Sequence, residues 1–134
     1  MANPNLLGTA VSIELKTKRG KVEDDYTIDS NTTVSSQTII NLSGNQSAKI
    51  VSLYFCNEST STAYTVSIGV GSYSAIVSHL FKDVSVAAGA TWIAINADAP
   101  IYLDSTADQF KIVGSAGAEN YVDYILSYEL IDTQ

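Results

Sequence analysis

Cysteine and histidine occur once each, at Cys56 and His79. No internal disulfide can form, no Cys/His zinc cluster can assemble, and few nucleophile-base constellations remain. Proline occurs twice, methionine once and tryptophan once, and charged residues make up only 16% of the chain. No apolar run approaches the roughly 18 residues that a membrane-spanning helix requires. The opening Met1-Ala2-Asn3-Pro4-Asn5 is polar and lacks a basic n-region followed by an apolar stretch, so no signal peptide is expected and synthesis is expected in a cytoplasm. What is present is β-forming. Of 134 residues, 48 are Val, Ile, Thr, Tyr, Phe or Trp, and Ser and Thr together supply 29. That balance favours pleated, half-buried strands over helices, in a chain long enough for one domain with its own core.

Charge is placed unevenly. The net charge is −7, yet residues 1–21 hold four bases against one acid, and residues 22–134 hold three bases against thirteen acids. Lys16, Lys18, Arg19 and Lys21 lie within six positions. Two readings follow. Residues 17–21 form a solvated hairpin turn between two strands, or the four cations are a docking arm for an acidic protein surface. The acidic remainder lacks the extended basic surface that phosphate contacts demand, so neither nucleic acid nor an anionic membrane is expected as a partner.

Period-2 alternation marks the strands. Val11, Ile13 and Leu15 alternate with Ser12, Glu14 and Lys16, which predicts a half-buried strand. Glu23 to Ser36 reads as an exposed connection carrying one short strand at Tyr26-Thr27-Ile28, and Gln37 to Leu42 as another strand. Ala48 to Asn57 is apolar on both faces and is predicted to lie mid-sheet, in a hairpin with the strand of Tyr64, Val66, Ile68 and Val70. Gly69 and Gly71 in that strand suggest a bulge or a close backbone approach. Strands are also expected at Val77 to Val86, Trp92 to Ile95, Ile101 to Leu103 and Gln109 to Val113. From Val122 to Leu130 the alternation is clearest, although Tyr121, Tyr124, Tyr128 and Ile131 would also share a helical face. The expected fold is all-β: one β-sandwich or jelly-roll-like domain of short antiparallel strands, with an N-terminal arm, hairpin and exposed connection at 1–36 and a sandwich body at 37–134. Leu53, Phe55, Val66, Ile68, Leu126 and Tyr128 are the expected core.

Candidate chemistry is sparse. Gly69-Val70-Gly71-Ser72-Tyr73 has the wrong spacing for a nucleophile elbow. His79 reads as a surface or interface residue, and Cys56 as a buried, inert thiol. Asp98, Asp104 and Asp108 lie in loops with nothing to set a catalytic separation. The Asp104/Asp108 pair and the Glu23-Asp24-Asp25 run lack the calcium-loop pattern, and no glycine-rich phosphate loop occurs. Four Asn-x-Ser/Thr sequons, at Asn31, Asn41, Asn45 and Asn57, are expected by-products of a chain rich in these residues. The eight tyrosines could build a sugar-stacking or protein interface, with most of them filling the core and its edges. No catalytic residue, cofactor or metal is expected.

Met1-Ala2-Asn3-Pro4-Asn5, the strand ending Lys16-Thr17, and Lys49-Ile50-Val51-Ser52-Leu53-Tyr54-Phe55-Cys56-Asn57 resemble small virion structural proteins of tailed bacteriophages. So do Ala88-Gly89-Ala90-Thr91, Pro100-Ile101-Tyr102-Leu103-Asp104 and Ser127-Tyr128-Glu129. At Glu14-Leu15 the chain departs from a Tyr-Gly pair found in such proteins. The resemblance implies a non-enzymatic virion component, assembled in the host cytoplasm. Its first form is a capsid decoration or cement protein, homo-oligomeric and preferably trimeric, partnered with the major capsid protein or another virion protein. A tail, neck or fibre component is the alternative, and outside virions a carbohydrate-binding sandwich.

Overall fold

The alternating, β-branched segments become strands, and nine of the eleven described strands close into two sheets around one apolar interior. The computed structural model describes residues 11–23, 26–29, 32–34, 37–71, 76–103 and 109–133. In order they are β1 (Val11–Lys21), β2 (Tyr26–Asp29), β3 (Thr32–Val34), β4 (Gln37–Ile40), β5 (Gln46–Asn57), β6 (Tyr64–Gly71), β7 (Ile76–Val86), β8 (Thr91–Ile95), β9 (Ile101–Leu103), β10 (Gln109–Gly114) and β11 (Val122–Thr133). The first sheet runs β1-β11-β5-β8, with β9 also paired to β5, and the second runs β4-β10-β6-β7. All pairings are antiparallel. The fold is an all-β sandwich. Among the described residues the helical content is one 3-10 turn, Ala118–Asn120, and the stretch with a helical alternative is strand β11.

The interior is built from alternate residues of facing strands. Ile50, Leu53 and Phe55 of β5 and Val122, Tyr124 and Leu126 of β11 are buried from one side. Val66 and Ile68 of β6 and Phe110 and Ile112 of β10 are buried from the other. Each such side chain contributes about 1.5–3 kcal/mol by leaving water. Five of the six expected core residues are fully buried, and Tyr128 is half-buried against the same cluster. Trp92 on β8 closes one end, stacking on Phe55 at 5.5 Å and meeting Phe81 of β7 edge-on at 5.2 Å.

Several expectations give way. β5 and β6 are not a hairpin: β5 pairs with β11, β8 and β9, while β6 pairs with β10 and β7. Residues 58–63 therefore cross from one sheet to the other. The stretch between Glu23 and Ser36 carries two strands, β2 and β3, paired as a separate small sheet. Residues 17–21 are not a turn but the second half of β1, in unbroken register with β11 from Val11 opposite Thr133 to Lys21 opposite Asp123. β1 thus shares a sheet with β11, β5 and β8. Ile13 and Leu15 are 62% and 72% exposed rather than half-buried. Residues paired directly across an antiparallel ladder share a face, and the inward residues of β11 lie opposite Gly20, Lys18, Lys16 and Glu14. The apolar side of β1 therefore looks outward.

Gly69 behaves as its place in the strand suggests. The register of β6 against β7 shifts beside it, and a Cβ there would run into the Ser78 carbonyl oxygen. Gly69→Ala is expected to force the two strands apart and cost about 1–3 kcal/mol, as overpacking does. A chemical-denaturation midpoint equal to that of the parent protein would contradict this close approach.

Candidate interaction surface

The four N-terminal cations sit on β1, which lies at the end of its sheet with only β11 beside it among the described residues. They divide into two kinds. Lys16 is held by Glu14, two residues back on the same face, at 2.9 Å. That hydrogen bond and the paired charge keep the Glu14 carboxyl below its usual range and the Lys16 ammonium above its own. Lys21 lies between Asp123, its cross-strand partner, at 2.8 Å and Glu58 at 3.0 Å. Hydrogen bonds to Asp123 and then Glu58 raise the Lys21 ammonium. Partial burial alone would raise Asp123; hydrogen bonding with Glu58 and Lys21 outweighs it and holds that carboxyl low. Lys18 and Arg19 are exposed, and no ion pair joins either to a described residue. Two of the four charges are thus neutralised within the fold, and the other two have no ion pair with a described residue.

The outer face of the first sheet carries Arg19 and apolar groups beside it. Arg19, Ile125, Tyr54 and Ile93 stand opposite one another across β1, β11, β5 and β8, and Ile125, Tyr54 and Ile93 are each at least two-fifths exposed. A second row runs Leu15, Glu129, Lys49, Tyr102, with the Lys49 ammonium 6.0 Å from the centre of the exposed Tyr102 ring. Between Arg19, Gly20, Asp123, Tyr124 and Ile125 the surface is hollowed by about 430 Å³. Gly20 shapes that hollow, because a Cβ there would come within 3.3 Å of the Tyr124 ring. Burial, and secondarily the charge of Glu23, raise the Tyr124 phenol above its ordinary value.

The other sequence candidates do not converge. His79 is exposed on β7, opposite Gly69. Cys56 is half-buried rather than buried: Phe55 and Asn57 take the inward positions, which turns the thiol to the outer face opposite Asp123 and Thr91. Among the described residues no three His, Cys, Asp or Glu side chains group as metal ligands. Ser72, Tyr73, Asp104, Asp108, Asp24, Asp25, Asn31 and residues 1–5 lie outside the described residues.

Two residues of consequence carried no signal in the sequence. Lys111 is fully buried on β10 and donates to the Thr38 hydroxyl at 2.6 Å; burial lowers its ammonium from the ordinary value. Asn57, which looked like an incidental sequon, is also fully buried. Its side-chain amide donates to the carbonyls of Thr62 (2.8 Å) and Val86 (2.9 Å), and its side-chain oxygen accepts from the Ser59 amide (2.9 Å). With the amide so committed, Asn57 cannot act as a glycan acceptor in the fold.

No family model matches the chain, and no curated protein or solved structure matches it.

Proposed function

We propose that the protein is a non-enzymatic structural component of a virus particle, a capsid decoration or cement protein that attaches through β1 and the adjoining outer face of its sheet. The virion assignment rests on the resemblance of residues 48–132 to phage structural proteins. Attachment is supported by one observation above the rest: an edge strand that exposes Ile13 and Leu15 beside two cations with no ion pair to a described residue. Exposed aliphatic side chains on an edge strand suit an interaction site. The proposed partner is the major capsid protein or another virion protein, bound by a homo-oligomer, a trimer by preference.

The test is a census of purified particles by mass spectrometry and cryo-EM, combined with rebinding of the protein to stripped particles. A copy number in step with the capsid lattice is expected. Neutralising Lys18 and Arg19 should weaken rebinding at low salt more than neutralising Lys16 and Lys21, because the latter pair is already satisfied internally. Absence from the particle would overturn the assignment, and a handful of copies would move it to the tail or neck.

A further inference from the structure

We infer that β1 takes its partner by strand addition: an extended acidic segment of a second protein pairs antiparallel with the edge of β1 that no described strand occupies. The inference rests on the attachment reading for the source of that segment and on the geometry of β1 for its chemistry. β1 is eleven residues long, has one neighbour among the described residues, and keeps unbroken register with it. Edge strands usually carry a device against pairing, such as a proline, a bulge or a short length. β1 has none of these. Its charges are the exception, and they discriminate rather than merely repel. Two copies meeting β1 to β1 with Lys18 opposite Arg19 would oppose cations across the strands, and like charges so opposed are destabilising. The same charges favour an acidic segment, because main-chain hydrogen bonds supply affinity while alternate side chains supply specificity.

The alternation of β1 fixes what such a segment must look like. Ile13, Leu15, Thr17 and Arg19 share the outer face, and Glu14, Lys16 and Lys18 the other. Glu14 and Lys16 neutralise each other at 2.9 Å. A complementary antiparallel strand therefore places an acid opposite Arg19, a second acid opposite Lys18, and aliphatic residues opposite Leu15 and Ile13. Read from its own N-terminus, it runs acid, acid, two uncharged residues, aliphatic, one uncharged residue, aliphatic.

A synthetic peptide reading Ser-Glu-Asp-Thr-Thr-Val-Thr-Ile-Ser, with blocked ends, is the probe. Titrated into the full chain at low salt, it should bind, slow the amide exchange of alternate residues between Ser12 and Arg19, and weaken as salt screens the charges. Two N-methylated forms separate strand addition from charge attraction. An added strand turns every second amide toward β1, so methylating that set should cost about tenfold or more in affinity, while methylating the other set is tolerated. The double variant Lys18→Glu with Arg19→Glu should lose the acidic peptide and gain one with lysines in place of its two acids. No binding at low salt, or equal binding of both methylated forms, overturns strand addition. Either result would leave the particle census unaffected, so the two readings fail separately.

Discussion

Truncating Phe55 to alanine is expected to cost about 3–5 kcal/mol, a large share of the roughly 5–15 kcal/mol that holds a domain folded. Phe55 is wholly buried on a central strand of the first sheet. Its ring stacks on Trp92, which in turn packs edge-on against Phe81 of the second sheet. Removing it empties a ring-sized volume and leaves Trp92 without the surface it lies on, so the two sheets lose a contact at one end of the sandwich. For a domain of this size the melting temperature should fall by ten degrees or more, since each kcal/mol is worth about 2–8 degrees. Phe55→Leu should recover more than half of the loss. A melting curve for Phe55→Ala within one degree of the parent's would show that β5 presents its other face to the interior.

Asn57→Ala is expected to be about as damaging, for a polar reason. The side chain joins the end of β5, the crossover at Ser59 and Thr62, and the end of β7 at Val86. The Asn57 backbone adds bonds to Ala90 and Gly89 in the turn after β7. Alanine leaves two carbonyls and one amide without their partner, at about 1–3 kcal/mol for each one kept from water. A loss of about 3 kcal/mol or more is expected by denaturant titration. Asn57→Asp supplies a sharper reading. It keeps the acceptor for Ser59 but sets a carboxylate against two carbonyl oxygens, which together with burial raises its pKa. A group whose folded pKa is raised adds to stability at pH below its unfolded value and loses that contribution as pH rises through the folded one. The Asp variant should therefore be closer to the parent near pH 4 than at pH 7. A loss independent of pH would mean that the site is open to water.

Alternation showed where the strands lie because each strand of a sandwich buries one face, and that burial is written residue by residue. β5, β6 and β11 were legible for this reason. The pairing of β5 with β11 instead of β6 was not, since an inter-sheet crossover and a hairpin turn both read as a few Ser and Thr residues. What tells them apart is Asn57, whose role depends on carbonyls of residues 62 and 86. β1 misled in the opposite direction. Its apolar residues alternate as a buried face would, and only the register against β11 turns them outward. The basic cluster that suggested a turn is simply continued strand. Lys111 was missed because nothing local to Phe110-Lys111-Ile112 says that the outward side of β10 is covered.

The pairing of β1 with β11 also sets a schedule for synthesis. Residues 11–21 leave the ribosome before any other strand of the two sheets, yet the strand that receives them, residues 122–133, emerges only after all the others. β11 separates β1 from β5, so the first sheet cannot be completed until that late segment is free of the exit tunnel. A fold dominated by such distant pairings closes on the slow side of the range for small domains, in milliseconds to seconds. Until β11 emerges, β1 lacks its native neighbour, and like charges opposed across strands disfavour pairing of neighbouring nascent chains along its cationic half.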